Sequence, residues 1–271
     1  SLTLSDYTPE AFEQVIRTLA STRAFPVLLL DEVDALLDSD AQAKEKLSGT
    51  WRKLAQDGIT HFVLVGTATL ARRLRDPSSV FFNFAQRLPL KYLPQEVAEL
   101  VISEPLDILG LILEPQDKVL KRIVDLASGH PNLLQTLGRR LVERVSNEHK
   151  QVITFEDCEA IARDEDFTDF YLDVIWGLVQ PLEKLVTLIA PGESFEIEDI
   201  ERSLSRYEVS VEPENLDDAL EMLEVYAILR REDRHYTFNP GHFREILSRT
   251  QELGRLIDIE KRKLIRLREK S

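Results

Sequence analysis

Phe25-Pro26-Val27-Leu28-Leu29-Leu30 is an unbroken apolar run that stops abruptly at Asp31-Glu32. A strand open to water on one face alternates apolar with polar residues. One without alternation reads as covered on both faces, as in parallel α/β sheets. His61-Phe62-Val63-Leu64-Val65 is a second run of this kind, ending at Gly66-Thr67. Between the two, Ala41 to Gln56 has a helical pattern closed by Gly58. Upstream, Thr8 suits an N-cap and Pro9 a first helical position, and Phe12, Val15, Ile16 and Leu19 recur at helical spacing. Arg87-Leu88-Pro89-Leu90 is a third, shorter candidate strand. Strands alternating with helices predict a parallel α/β unit over residues 1–93.

Beyond Pro94 the pattern is of helices only, over 94–103, 116–127, 131–147 and 155–163. Thr154-x-x-Asp157 is close to a capping box, with Asp in place of the usual Glu. This predicts a helical subdomain over 94–166. From Phe167 the composition becomes more acidic. Leu178 to Ile189, Glu198 to Ser205 and Asn215 to Tyr226 read as helices, and Phe195-Glu196-Ile197 as a short strand. Two more strands, Ile228–Arg231 and His235–Phe238, follow across Glu232-Asp233-Arg234. Three helices and then a two-stranded ribbon is the order of a winged helix, over 167–242. Phe243 to Lys270 reads as one long helix with a basic end, so that 243–271 forms a final segment.

Composition narrows the function classes. The 48 acidic against 34 basic residues leave a net charge of −14, which argues against a general phosphate-backbone binder. Cys158 is the single cysteine, so an internal disulfide or a cysteine-rich metal site is excluded and a reducing, cytoplasmic setting is expected. No apolar run approaches the ~20 residues that span a bilayer, and the first residues lack the pattern of a signal peptide. His61, His130, His149, His235 and His242 show no metal-ligand spacing.

Asp31 and Glu32 are the sharpest chemical signal. Ligands of parallel α/β sheets bind at the carboxyl ends of strands, and this strand ends in paired carboxylates. In nucleoside-triphosphate chemistry one acid holds Mg²⁺, usually through water, and a second orients or deprotonates the attacking water. The alternative is a buried strand whose next helix is merely capped by Asp31 or Asp34.

The order of features resembles P-loop ATPases of the AAA+ and STAND type, the switch-like signalling ATPases. Leu28-Leu29-Leu30-Asp31-Glu32 is similar to their Walker B strand. His61–Thr67 is similar to the next strand, where Thr67 matches the sensor 1 residue. Phe84–Leu90 resembles the segment that carries an arginine, here Arg87, into the last core strand. Gly129-His130-Pro131 resembles the G-x-P motif of the STAND lid, whose proline lies near the bound base. The resemblance implies half of an ATPase core, a helical lid and a winged helix. It also implies ATP or ADP with Mg²⁺ as ligand, and control of protein–protein interaction or assembly. Under it Asp31 holds Mg²⁺ through water, Glu32 positions water, Thr67 senses the γ-phosphate and Arg87 reports charge. Each has a plainer reading: Thr67 caps a turn, Arg87 joins a surface ion pair, and Gly129 and Pro131 end one helix and start another.

The sequence departs from that family at one decisive place. A P-loop enzyme requires G-x-x-x-x-G-K-[ST], and none of the ten glycines opens such a motif. The chain is therefore expected to be part of a larger protein, or to obtain the missing strand elsewhere, and to bind ATP poorly by itself. A non-catalytic scaffold or sensor with a degenerate ATPase fold is the alternative. In the winged helix, Pro240 falls where many STAND proteins carry a nucleotide-sensing histidine. His242, two residues on, either substitutes for it or is an exposed polar residue, and the second is expected. The helix in the recognition position, Pro213 to Glu224, carries five carboxylates and no Lys or Arg, which disfavours a DNA-binding ATPase. Protein partners or self-association are expected instead, with no membrane contact. The C-terminal helix, with Arg255, Lys261, Arg262, Lys263, Arg266, Arg268 and Lys270 against Asp258, Glu260 and Glu269 and an apolar stripe, reads as a linker, a coiled-coil partner surface, a weak anionic contact or a solvated face.

Overall fold

The computed structural model describes residues 8–22, 25–239, 241–249 and 252–268. The chain divides into two compact units, one up to Pro89 and one from Leu90 onward. No helix among the described residues is long and apolar enough to cross a membrane.

The first unit opens with α1 (Pro9–Ser21), where the Thr8 hydroxyl accepts the Ala11 N–H at 3.1 Å and Pro9 occupies the first turn. Of its apolar stripe only Ile16 is buried, while Val15 and Leu19 are exposed. β1 (Val27–Leu30) and β2 (His61–Leu64) pair in parallel, Val27 opposite His61 and Leu30 opposite Leu64. The expected cover is found on one face only among the described residues. Leu30, Phe62 and Leu64 pack on a core of Val33, Leu37, Trp51, Leu70 and Phe81, whereas Val27 and Val63 are exposed and Leu29 is 75% exposed. An apolar run reports what a strand needs, not whether a neighbouring layer is there to supply it.

The helix expected over 41–56 is two helices, α2 (Val33–Gln42) and α3 (Lys46–Gln56). Lys44 and Glu45 between them have positive φ. The Asp40 carboxylate, buried at this corner, accepts the Leu47 N–H at 2.9 Å, the Ser48 N–H at 2.8 Å and the Ser48 hydroxyl at 2.5 Å. Those amides begin α3 and lack intrahelical partners, so the side chain that ends one helix starts the next. α4 (Ala68–Arg73) follows β2. The third predicted strand does not form. Arg87–Leu90 has no ladder partner among the described residues, and Leu88 and Leu90 are 81% and 90% exposed.

The second unit starts with α5 (Gln95–Ile108), α6 (Gln116–Ala127), α7 (Pro131–Asn147) and α8 (Phe155–Ala162). It is not purely helical, because β3 (Ile112–Glu114) and β4 (Val152–Thr154) pair in parallel. Three-residue strands are too short to show a period. The capping box at β4–α8 forms as read: the Thr154 N–H donates to Asp157 at 2.9 Å and the Asp157 N–H to the Thr154 hydroxyl at 3.4 Å. Burial alone would raise the Asp157 pKa, but hydrogen bonds from Arg144 (2.8 Å) and Thr154 outweigh it and hold the carboxyl below its ordinary value. Cys158 beside it is buried, its thiol pushed up to about 12 by burial.

α9 (Glu165–Trp176), capped by Asp164, runs unbroken across residues 166 and 167. Then come α10 (Pro181–Ile189), β5 (Ser194–Phe195), α11 (Ile197–Arg206), α12 (Pro213–Val225), β6 (Leu229–Glu232) and β7 (His235–Phe238). The last three strands make an antiparallel sheet in the order β5-β7-β6. The long helix expected from Phe243 to Lys270 is instead α13 (Phe243–Arg249) and α14 (Leu253–Arg268), and Lys270 lies outside the described residues. α14 packs along α10. Leu133, Leu137, Phe167, Tyr171, Leu185 and Phe243 belong to one continuous core.

Candidate functional site

Asp31 follows the last residue of β1, and Thr67 stands just past the end of β2. The parallel register therefore brings both to the carboxyl edge of the pair. The Val65 N–H donates to the Leu30 carbonyl at 2.8 Å and the Val33 N–H to the Val65 carbonyl at 3.1 Å, which locks the two exits together. Asp31 and Glu32 are both exposed. Asp31 accepts the Glu32 N–H at 2.8 Å through Oδ1, and Glu32 is the left-handed residue (φ 52°) from which α2 starts.

Asp34 has a role that sequence reasoning assigned only in part. It caps a helix, but not the one that follows it. Its Oδ2 accepts the Thr67 N–H at 2.7 Å and its Oδ1 the Leu70 N–H at 3.1 Å, which caps α4, 33 residues further along. Thr67, the N-cap residue of α4, is thereby tied to the acidic turn. No local signal marks such a contact. Arg87 is exposed in the segment after residue 85, and among the described residues no hydrogen bond or ion pair draws it to this edge.

The carboxylate half of a Mg²⁺–nucleotide site fits these residues: Asp31 and Glu32 are exposed, hard oxygen donors, suited to a hydrated Mg²⁺. The phosphate half does not. The Thr67 and Leu70 N–H groups at the start of α4 are taken by Asp34, and the sequence holds no phosphate-binding loop. No step through a bound nucleotide follows from this chain's residues alone.

Gly129 and Pro131 sit in the second unit, at the α6–α7 turn. Ser128 and Gly129 both have positive φ, 51° and 74°. The Leu93 N–H donates to the Gly129 carbonyl at 2.9 Å, and a Cβ on Gly129 would stand 2.4 Å from the Leu93 carbonyl oxygen. Glycine is therefore required here on two counts. Pro131 is the exposed first residue of α7, the plainer of its two readings. His130 between them is half-buried, set edge-on to Tyr92 at 5.0 Å, its pKa lowered by burial.

Gly129 also lines an open cleft of about 490 Å³, together with Gln95, Arg122, Asp125, His242 and Glu245. His242, expected to be exposed, is only 4% exposed. Its Nδ1 lies 2.5 Å from Glu245 Oε2, and its carbonyl accepts the Ile246 N–H at the start of α13. The Gly241 N–H donates to the Ser128 hydroxyl at 3.1 Å, joining the two turns that border the cleft. Pro240 lies outside the described residues. Arg122 is already paired with Glu159 at 2.6 Å, and Asp125 and Glu245 add negative charge, so the cleft suits an uncharged ring with polar edges better than a phosphate.

No family model matches the chain, and no curated protein matches it. Solved structures do. A Walker-type ATPase of Pyrococcus abyssi is 16% identical with a TM-score of 0.59, over 92% of this chain and 69% of that one. The ORC2 protein of Aeropyrum pernix, solved in ADPNP–ADP complexes, is 14% identical with a TM-score of 0.53, over 97% of this chain and 70% of that one. At these identities the likeness is one of fold alone: the chain folds like the greater part of these two structures.

Proposed function

We propose that the chain belongs to a nucleotide-dependent molecular switch, an ATPase of STAND character that controls protein–protein interaction or assembly in the cytoplasm. It would comprise half of the ATPase core (1–93), a helical lid (94–166, with α9 leading onward), a winged-helix domain (167–242) and a C-terminal helical segment (243–271). The observation that carries this reading is the Asp31–Glu32 pair at the carboxyl edge of a parallel strand pair, with Thr67 held alongside by Asp34. Asp31 would bind Mg²⁺ through water, Glu32 position the attacking water and Thr67 read the γ-phosphate once a phosphate-binding loop joins the site. Arg87 would report charge there or in a neighbour. Gly129 and Pro131 would be the nucleotide-proximal residues of the lid. The test is nucleotide binding and turnover by the intact protein. Glu32→Gln should abolish hydrolysis and spare ATP binding, and unchanged turnover would sink the assignment.

One feature favours a second reading, a non-catalytic scaffold on the same fold: the sequence lacks G-x-x-x-x-G-K-[ST]. On that reading Asp31 and Glu32 are relics. An intact protein that binds neither ATP nor ADP at millimolar concentration would establish it. DNA binding is disfavoured by α12, whose exposed residues include Glu214, Asp217, Asp218 and Glu221.

A further inference from the structure

Two exposed helix faces of the second unit carry opposite charge. On α14, Arg255, Arg262 and Arg266 fall within about 40° of one another at 3.6 residues per turn, a stripe roughly 16 Å long. The opposite side of that helix, through Leu256, Ile257 and Leu264, joins the core, and α14 lies against α10. Arg255 pairs with Glu252 at 2.7 Å, whereas Arg262 and Arg266 have no ion-pair partner among the described residues. Ile265, 55% exposed, stands at the edge of the stripe. On α12, Glu214, Asp217, Asp218 and Glu221 lie at i, i+3, i+4 and i+7, so they share one face about 10 Å long. Leu216, Ala219, Leu220 and Leu223 are buried on the other side. Glu214, Asp217 and Asp218 also have no ion-pair partner among the described residues.

We infer that the arginine face of α14 docks on the carboxylate face of α12 of a second copy of this chain. Sign and exposure are complementary, the shorter carboxylate face fits within the longer arginine stripe, and the chain supplies both halves. A polyanion is the poorer occupant, because it would meet a chain of net charge −14. That same net charge repels two copies at long range. Screening shortens the repulsion to about 10 Å near 0.1 M salt, within which contact pairs act. Exposed ion pairs are individually weak, so the contact is weak and salt-sensitive, with apolar cover from Ile265. Such a surface is heterologous: two contacts made at once close a pair, and one contact per copy extends a chain. The inference does not rest on the nucleotide reading.

Sedimentation velocity on the full chain tests it. Self-association is expected at about 0.1 M salt, weakening by about tenfold at about 0.5 M. Arg262→Glu with Arg266→Glu, and separately Asp217→Arg with Asp218→Arg, should each leave a monomer with an unchanged thermal melt. Mixing the two variants should restore association, because each then offers the other a complementary face. A wild type that stays monomeric at about 0.1 M, association indifferent to either double substitution, or a mixture that fails to associate would overturn the inference. So would duplex-DNA binding by a monomeric wild type that is lost in the α14 variant.

Discussion

The strand pair β1–β2 and the sheet β5–β7–β6 invert what their side chains suggest. β1 is Val-Leu-Leu-Leu, yet Val27 and Leu29 face outward. β6 is Leu-Arg-Arg-Glu, yet the sheet it borders buries Phe195, Tyr236 and Phe238. Those rings stack into a continuous set, Phe195 on Tyr236 at 5.9 Å, Phe238 on Phe243 at 5.2 Å, and Phe243 edge-on to Trp176 at 5.8 Å. The difference lies in the neighbouring layers. The antiparallel sheet has α12 against β6 and Phe243 of α13 against Phe238, whereas β1–β2 has a described layer on one face only. Apolar content states a demand for burial, and the second layer decides whether it is met.

Phe238→Ala should produce the largest effect, a loss of about 3–5 kcal/mol in urea unfolding, because it empties the centre of that ring set. A loss below about 1 kcal/mol would mean that the set is loosely packed. Gly129→Ala follows, at about 3 kcal/mol, since the new Cβ meets the Leu93 carbonyl and φ is left-handed. Gly58→Ala is its control in the first unit, with the same positive φ but open space around it, and should cost only about 1 kcal/mol. Equal losses would remove the close approach of Leu93 as the reason for glycine at 129.

Asp157→Asn is expected to cost about 1–2 kcal/mol at neutral pH, because Arg144 and the Thr154 N–H lose their charged acceptor. The native carboxyl titrates below its ordinary value. Its stabilisation is therefore complete above the unfolded value near 4, and is lost as pH falls through the lowered native value. Denaturation measured from pH 5 down to pH 3 should show wild type losing more stability than Asp157→Asn; parallel curves would remove the ion pair as the cause. Leu29→Ser should do least, changing stability by no more than about 0.5 kcal/mol. A loss above about 1.5 kcal/mol would show that this face of β1–β2 is covered in solution.

Much of the fold is legible residue by residue. α6, α7 and β7 fall at the spans read from the sequence, and Thr8, Pro9 and the Thr154–Asp157 box act as read. These signals are local: a cap and a helical stripe act within one or two turns. The break at 43–45 was not legible, because helical periodicity carries through a corner made by the Asp40 side chain. In the candidate site, Asp31 and Glu32 were found because a strand and its exit are contiguous in sequence. The pairing of Asp34 with Thr67 was not, since it joins positions 33 residues apart.

The order of residues by itself determined where elements start, which runs seek burial, and which acids stand at a strand exit. All of these follow from backbone stereochemistry and side-chain polarity over a few consecutive residues. Tertiary structure alone decided that His242 is buried beside Glu245 and that, among the described residues, Arg87–Leu90 has no ladder partner and one face of β1–β2 has no covering layer. Hydrogen-bond ladders, desolvation and packing depend on groups brought together from distant parts of the chain, and no short stretch of sequence encodes its own neighbours.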